Sequence, residues 1–188
     1  MVPKMSVFDD DLTNSQIMMR DVCRRFVDKT IEPFIKNNWQ DEWKMEPENR
    51  LPKEILEEAD KIGIRTLGVP ENYGGTPLEA DNEVRTFAII SEEIARGDSG
   101  LADKLVQNWK VSVLLRKLAN SDHQKHWFDK LMSNPNFLFA HALTEPKGAS
   151  DRWLGYNAPE ASMDTKAVRT KGGWIINGRK HYISNGYD

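Results

Sequence analysis

The stretch from residue 137 to residue 151, which reads FLFAHALTEPKGASD, marks a change in the hydrophobic pattern of this 188-residue chain. Its apolar first part, residues 137–143, predicts a buried strand. Upstream, over about residues 11–133, apolar residues recur at the three- and four-residue steps that are typical of amphipathic helices. Downstream, residues 166–169 and 174–176 have the short apolar and β-branched pattern that indicates strands. The sequence therefore predicts an α+β fold.

We expect two domains, an all-α amino-terminal domain in residues 1–134 and the first strands of an antiparallel β-barrel domain in residues 135–188. Asn177-Gly178 is the preferred pair for a two-residue hairpin turn, because both positions need a positive φ. This turn would lead into a further strand at residues 181–184. So few strands cannot close a barrel, and an open sheet edge seldom ends a natural protein. The sequence therefore predicts the amino-terminal part of a longer polypeptide.

Proline, glycine and capping residues predict where the helices begin and end. Pro33 predicts the end of the first helix or a kink in it. Pro52 opens a second helix, and Gly63 is suited to the left-handed residue that follows it. Ser121 and Gln124 match a capping box that would open the last helix.

Composition and charge exclude several classes of protein. Lys and Arg number 26 and Asp and Glu number 29, so the formal net charge is −3, and we expect no binding to nucleic acid. No apolar run approaches the roughly 20 residues of a bilayer-spanning helix, so we expect no membrane insertion. The amino terminus has no signal or transit pattern, which favours a cytoplasmic protein and leaves the mitochondrial matrix open. Cys23 is the single cysteine, and we predict no disulfide and no metal site.

Motifs of common catalytic machinery are missing from the sequence. It contains no Gly-rich dinucleotide fingerprint, no phosphate-binding loop and no Gly-x-Ser-x-Gly elbow. Residues 97–100, Gly-Asp-Ser-Gly, are similar to a serine-protease nucleophile, but they lie between two predicted helices, where Asp98 or Ser99 serves as an N-cap. His123 and His126 are three residues apart on a predicted helix, and a solvated face explains them better than a metal site.

Two segments remain, and together they resemble the acyl-CoA dehydrogenase family. Residues 142–151 read ALTEPKGASD and residues 174–186 read WIINGRKHYISNG. The family's middle domain carries a Thr-Glu-Pro…Ser-Asp segment and an Ile-Asn-Gly-x-Lys hairpin at about this separation. Upstream, residues 67–75 (LGVPENYGG) and 91–96 (SEEIAR) are similar to a connection and a following helix of the same family. The resemblance covers nearly the whole chain.

The resemblance implies FAD as cofactor and five residues that contact it. These are Leu143, Thr144, Tyr182, Ile183 and Ser184. A flavin that accepts a hydride gains electron density at N5 and along its N1–C2=O2 edge, so its site needs hydroxyl and N–H donors and an apolar or aromatic wall. Thr144 and Ser184 would supply hydroxyls, and Tyr182 stands where the family usually has Trp. Ser150 would face a flavin phosphate or the acyl-CoA.

The family's reaction removes an α proton with a carboxylate base and transfers a β hydride to FAD, giving a 2,3-enoyl-CoA. The base is a Glu of the carboxy-terminal half, so the resemblance implies no catalytic residue in this chain. The chain would stop before the carboxy-terminal four-helix domain, and alone it would bind FAD weakly and show no turnover. The implied partners are an acyl-CoA substrate, an electron acceptor such as an electron-transfer flavoprotein, and further copies in a dimer or tetramer.

Other interpretations of the same sequence stay open. One is a flavin-dependent monooxygenase or oxidase on the same fold, and another is a non-catalytic helical interaction module. Lys147 and Ala149 stand where the family tends to small residues and often has Gly, and residues 152–164 form a longer connection than the family's usual turn. Basic residues near the end of the chain favour a solvated sheet face. They are Lys166, Arg169, Lys171, Arg179 and Lys180.

Overall fold

The computed structural model describes residues 11–41, 52–76, 78–79, 82–148 and 163–186. The chain divides into two compact units, which we call the helical unit, up to Phe139, and the β unit, from Ala140. The helices are α1 (Asn14–Phe26), α2 (Glu32–Asn38), α3 (Lys53–Lys61), α4 (Glu83–Gly97), α5 (Ser99–Leu118) and α6 (Ser121–Ser133). The strands are β1 (Lys166–Thr170) and β2 (Gly173–Asn177). The predicted α+β class is confirmed.

The first helical segment passes Pro33 instead of ending there. Thr13 and Gln16 form a reciprocal capping box that opens α1. A π-helical turn, Val27–Ile31, then joins α1 directly to α2. Pro33 falls in the first turn of α2, where the missing N–H of proline is tolerated. The helical path therefore changes its winding before the proline, and the predicted stop does not occur.

Other helix ends follow local capping chemistry. Gly63, just after α3, has a φ of +75°, as predicted for a left-handed cap. Asp98 is the N-cap of α5, and its Oδ1 accepts a hydrogen bond from the Leu101 N–H at 2.7 Å. This contact explains residues 97–100 as the junction between α4 and α5.

The predicted capping box of α6 is wrong by one residue. The N-cap is Asn120, whose Oδ1 accepts a hydrogen bond from the His123 N–H at 2.9 Å. Gln124 instead turns back to the preceding helix, where its Nε2 donates to the carbonyl oxygens of Arg116 at 3.2 Å and Ala119 at 2.8 Å. Asparagine is as good an N-cap as serine, and the amide side chain satisfies carbonyls at the end of α5.

The helical unit buries two apolar clusters. The larger one contains Cys23, Phe26, Val27, Ile31, Ile55, Leu56, Ala59, Ile64, Leu67, Ile90, Ile94, Leu101, Ala102, Leu105 and Trp109. The smaller one contains Val69, Phe128, Leu131 and Phe139. Trp109 is fully enclosed, and its indole N–H donates to the Ile64 carbonyl at 2.7 Å. At Gly97 a Cβ atom would lie 2.7 Å from Cγ1 of Val27, so α4 approaches the π-helical turn closely.

Ion pairs, one of them with a buried acid, connect helices of the helical unit. Glu93 is 3% exposed and accepts hydrogen bonds from the Arg24 guanidinium. Arg96 binds Asp28 at 2.6 Å and Glu32 at 2.8 Å. These pairs join α1, the π-helical turn and α2 to α4.

Arg65 forms hydrogen bonds that connect the segment after α3 to the last part of the helical unit. Its guanidinium is fully buried and donates to Asp60 at 2.7 Å, to the Leu131 carbonyl at 2.6 Å and to the Phe137 carbonyl at 3.1 Å. Asn108 accepts a hydrogen bond from the Phe139 N–H at 2.6 Å. A side chain thus takes a donor that a strand would need for its ladder. The predicted strand at residues 137–143 does not form.

The β unit contains a hairpin in which β1 and β2 pair antiparallel, with Lys166 opposite Asn177 and Thr170 opposite Gly173. Both strands were predicted, but the turn between them is at residues 171–172. The predicted Asn177-Gly178 turn and the strand at residues 181–184 are therefore wrong. Gly178 has a φ of +155°, and a Cβ there would collide with Thr165. Glycine at this position permits a close backbone approach and does not form a hairpin turn.

Among the described helices, none has the length and apolar character that crossing a bilayer requires. Within the same residues, His, Cys, Asp and Glu form no group of three that could hold a metal ion.

Candidate functional site

The two segments singled out in the sequence meet in the β unit. The His181 N–H donates to the carbonyl oxygen of Thr144 at 3.1 Å. Next to this bond, Nζ of Lys180 donates to the carbonyl oxygen of Leu143, also at 3.1 Å. These contacts join residues 143–144 to residues 180–181, which lie 37 positions later in the chain. The backbone thereby brings both motifs to one place.

Glu145 lies at the centre of this junction. It is 4% exposed, and its carboxylate accepts hydrogen bonds from the N–H groups of Asp164 at 2.6 Å and Thr165 at 3.0 Å. Lys180 places its ammonium 2.7 Å from Oε1 of the same carboxylate. Gly148 closes a turn by donating its N–H to the Glu145 carbonyl at 3.0 Å. One side chain thus connects the segments that begin at residues 143, 163 and 180.

The environment of Glu145 stabilises its charged form. The Lys180 ammonium, with the hydrogen bonds from residues 164 and 165, lowers the pKa of the Glu145 carboxyl from 4.5 to about 2. The carboxylate is therefore anionic at neutral pH. Its charge is matched by Lys180 and directed by two amide donors.

The predicted cofactor residues differ in their exposure. Leu143, Thr144, Ile183 and Ser184 are half-buried. Tyr182 is 87% exposed, and its ring centroid is 4.3 Å from that of His181. Ser150 and residues 152–162 of the long connection lie outside the described residues.

Tyr182 also has an unusual backbone conformation, with a φ of +53°. A non-glycine residue with positive φ costs free energy and is enriched at functional sites. Asn185 has a φ of +61°, and the Gly186 N–H donates to the Ile183 carbonyl at 3.0 Å. A turn therefore replaces the predicted strand, and it presents the Tyr182 ring to solvent.

These residues have the chemistry that a planar heteroaromatic group needs. Thr144 and Ser184 carry hydroxyls on the two joined segments. Leu143 and Ile183 supply apolar surface, and Tyr182 supplies an exposed ring. Hydroxyl and N–H donors beside an aromatic surface can bind a ring system with carbonyl and nitrogen acceptors. By residue type, this set matches the groups that an isoalloxazine would need.

Sequence reasoning missed the roles of Glu145 and Lys180. Lys180 was assigned to a solvated basic face, but its side chain is only 20% exposed and is paired with a buried acid. The other four basic residues of that group are exposed, as predicted. The sequence offered one signal for this pair, an acid in the first motif and a lysine in the second. Because these residues are 35 positions apart, only the folded structure shows that they form an ion pair.

Comparison with known proteins identifies the family. The model described as acyl-CoA dehydrogenase, N-terminal domain, matches residues 13–135. The resemblance inferred from the motifs is thereby confirmed, and the match lies in the helical unit.

Similar proteins extend the match into the β unit. The (2S)-methylsuccinyl-CoA dehydrogenase of Cereibacter sphaeroides is 32% identical over 89% of this chain and 27% of its own length. An acyl-CoA dehydrogenase of Bacillus subtilis (strain 168) is 28% identical over 93% of this chain and 41% of its own length. The crystal structure of an acyl-CoA dehydrogenase from Bacillus anthracis, complexed with FAD, superposes with a TM-score of 0.68 at 24% identity, over 93% of this chain and 27% of that one. The chain spans less than half the length of these proteins.

Proposed function

Because the chain belongs to the acyl-CoA dehydrogenase family, we propose that it is the amino-terminal portion of an FAD-dependent acyl-CoA dehydrogenase. The observation that carries the proposal is the hydrogen bond from the His181 N–H to the Thr144 carbonyl at 3.1 Å. It joins the two motifs on which the resemblance depends. The FAD-bound relative with the same fold supports the choice of cofactor.

The proposed reaction is the oxidation of an acyl-CoA thioester to the 2,3-enoyl-CoA. Bound FAD supplies the hydride acceptor. The general base belongs to the carboxy-terminal part of the enzyme, so this chain contributes binding and orientation and no catalytic residue. Orientation has a large effect on such a reaction, because the substrate must present one C–H bond to the base and the adjacent one to the flavin.

We assign the flavin contacts to residues on the two joined segments. Thr144 and Ser184 donate hydrogen bonds to acceptors on the ring. Leu143 and Ile183 form the apolar wall, and Tyr182 packs its exposed ring against the cofactor. Ser150 binds a flavin phosphate or the acyl-CoA.

The proposal includes the domain assignment and the partners. Residues 1–134 form the helical domain, and residues 135–188 begin a β-barrel domain that later parts of the polypeptide complete. The full-length enzyme forms a dimer or tetramer and passes electrons to an acceptor such as an electron-transfer flavoprotein. The acyl-CoA thioester is its substrate.

The function is tested with full-length protein in two steps. The purified protein should show the visible absorbance of a flavin, directly or after FAD is added. A preparation that stays colourless would favour the interaction module. A panel of acyl-CoA thioesters is then added without oxygen. Bleaching of the flavin by one thioester supports the dehydrogenase, whereas no bleaching with any thioester would favour a monooxygenase or oxidase.

Thr144→Val combined with Ser184→Ala tests the two hydroxyls. The double variant should hold FAD more weakly by about 1–3 kcal/mol for each lost hydrogen bond, since the flavin acceptors stay buried and unsatisfied. Equilibrium titration of the apoprotein with FAD measures the change. Thr170→Val, at an exposed strand end of the same unit, is the matched control. Equal FAD affinity in the double variant and the wild type would show that neither hydroxyl hydrogen-bonds to the flavin.

Tyr182 is tested by replacing it with Trp and with Ala. Because the ring is exposed and packs only on its neighbour His181 among the ring contacts of the described residues, its removal should leave folding unchanged. FAD affinity should be kept in Tyr182→Trp and should fall by about 0.5–1.5 kcal/mol in Tyr182→Ala. The same titration measures both. Equal affinity in the two variants would contradict a packing role.

A further inference from the structure

We propose that Glu145 and Lys180 are positioning residues for the flavin. Their ion pair locks the segment of Leu143 and Thr144 to the segment of residues 182–184, and cofactor affinity depends on this lock. The inference rests on the proposed function, which assigns flavin contacts to both segments. It adds two residues that act through their neighbours.

The first argument is connectivity. Lys180 donates to the Leu143 carbonyl at 3.1 Å and to the Glu145 carboxylate at 2.7 Å, so one ammonium grips the segment on both sides of Thr144. The next residue, His181, donates its N–H to the Thr144 carbonyl at 3.1 Å. Two consecutive residues of the second motif thus hold three consecutive residues of the first. The position of any flavin contact made by Thr144 therefore depends on these contacts of Lys180 and His181.

The second argument is burial. The side chains of Glu145 and Lys180 are 5% and 20% exposed, whereas the nearby pair Lys147–Asp164 is 82% and 61% exposed at 3.2 Å. A charge removed from a shielded pair leaves its partner without compensation. An exposed pair contributes little because solvent replaces it. The β unit therefore contains both a shielded ion pair and a matched exposed one.

The third argument is that the lock does more than hold two segments. The Glu145 carboxylate also accepts the Asp164 and Thr165 N–H groups, which lie immediately before β1. The lock therefore fixes the start of the hairpin relative to the two motifs. Without the carboxylate these amides lose their acceptor, and each segment can move separately.

The test uses the full-length enzyme and four single variants. Glu145→Gln and Lys180→Gln break the shielded pair, and Lys147→Gln and Asp164→Asn break the exposed one. For each protein the FAD dissociation constant, the visible circular dichroism of bound flavin and the melting temperature of the apoprotein are measured. The double variant of Glu145 and Lys180 completes a mutant cycle.

We expect Glu145→Gln and Lys180→Gln each to raise the FAD dissociation constant about tenfold or more, and to change the flavin circular dichroism. The double variant should lose no more than the weaker single variant, because both residues serve one contact. The exposed-pair variants should bind as wild type does. If Glu145→Gln fails to fold, Lys180→Gln decides the matter, since its side chain is nearer the surface.

Two results would overturn the inference while the proposed function stands. One is wild-type FAD affinity in both shielded-pair variants. The other is a loss of affinity that follows a lower melting temperature of the apoprotein, with unchanged circular dichroism of the flavin that remains bound. A wild-type enzyme that binds no FAD would instead overturn the proposed function, and this inference with it.

Discussion

Different kinds of interaction stabilise the interior of the helical unit and the interior of the β unit. Both buried apolar clusters of the described residues lie in the helical unit, and its internal charges are paired. In the β unit every residue of β1 and β2 is exposed, including Trp174 and Ile176. Of the β-unit residues that the structure describes, the most buried, Glu145 and Asn185, are polar. Apolar burial organises the first unit, and directed polar contacts organise the second.

This difference indicates which substitutions should change the stability of each unit. Apolar burial is summed over many residues, and each large core side chain contributes a few kcal/mol. A polar network concentrates its effect in one or two side chains and leaves the rest tolerant. Matched substitutions in the two units can therefore separate the two kinds of order.

The largest expected effect comes from tryptophan. Trp109→Ala should lower the free energy of unfolding by about 3–5 kcal/mol, because the ring is 1% exposed and the Ile64 carbonyl loses its indole donor. Trp174→Ala should change it by about 0.5 kcal/mol or less, since that ring is 63% exposed. Urea unfolding of this chain, followed by far-ultraviolet circular dichroism, compares the two. Similar losses in both variants would erase the contrast between the units.

Glycine substitutions should give a smaller difference in stability between the two units. Gly97→Ala places a methyl group 2.7 Å from Cγ1 of Val27 and 2.9 Å from Cγ2 of Ile31, so it should cost about 1–3 kcal/mol. Gly172→Ala, in the hairpin turn, meets no atom within 4 Å and should change stability by about 0.5 kcal/mol or less. The same unfolding experiment measures both. A neutral Gly97→Ala would mean that α4 and the π-helical turn separate easily.

The smallest effect is local and depends on pH. The pKa of Glu145 is lowered from 4.5 to about 2, so its contribution is fully present above pH 4.5 and is lost as the pH falls toward 2. The amide resonance of Thr165, whose N–H donates to Glu145, should follow this change in nuclear magnetic resonance spectra. An Asp164→Asn background removes the neighbouring carboxyl. In Glu145→Gln the transition should vanish.

A midpoint near 4.5 for the Thr165 resonance would show that Lys180 does not stabilise the carboxylate. Amide resonances from the apolar core of the helical unit, such as that of Leu105, serve as an internal reference.

The sequence predicted the elements that depend on neighbours along the chain. The helices of the helical unit and the cap at Gly63 follow from local periodicity and backbone preference. Pro33 does not end the helical path, because a π-helical turn changes the winding before it and the proline falls in the first turn of α2. The capping box of α6 was misplaced because Asn120 and Ser121 are both good caps, and neighbouring positions compete.

Elements that depend on distant partners could not be predicted from pattern alone. Residues 137–143 look like a strand, but the N–H of Phe139 finds Asn108, 31 residues away. Asn177-Gly178 has the composition of a hairpin turn, but Asn177 pairs with Lys166 at the open end of the hairpin. The candidate site came from resemblance to a family, and the pair of Glu145 with Lys180 required the fold.

The position of Arg65 has a consequence for synthesis of the protein. The carbonyl groups that satisfy its buried guanidinium belong to Leu131 and Phe137, which are 66 and 72 residues further on. Asp60, five residues earlier, already pairs with the guanidinium, but until Leu131 and Phe137 have left the ribosome its other two N–H donors must stay hydrated, because burying them without an acceptor costs free energy. The interior around Arg65 therefore cannot close one helix at a time as the chain emerges. It closes late in translation, when the segment after α6 arrives.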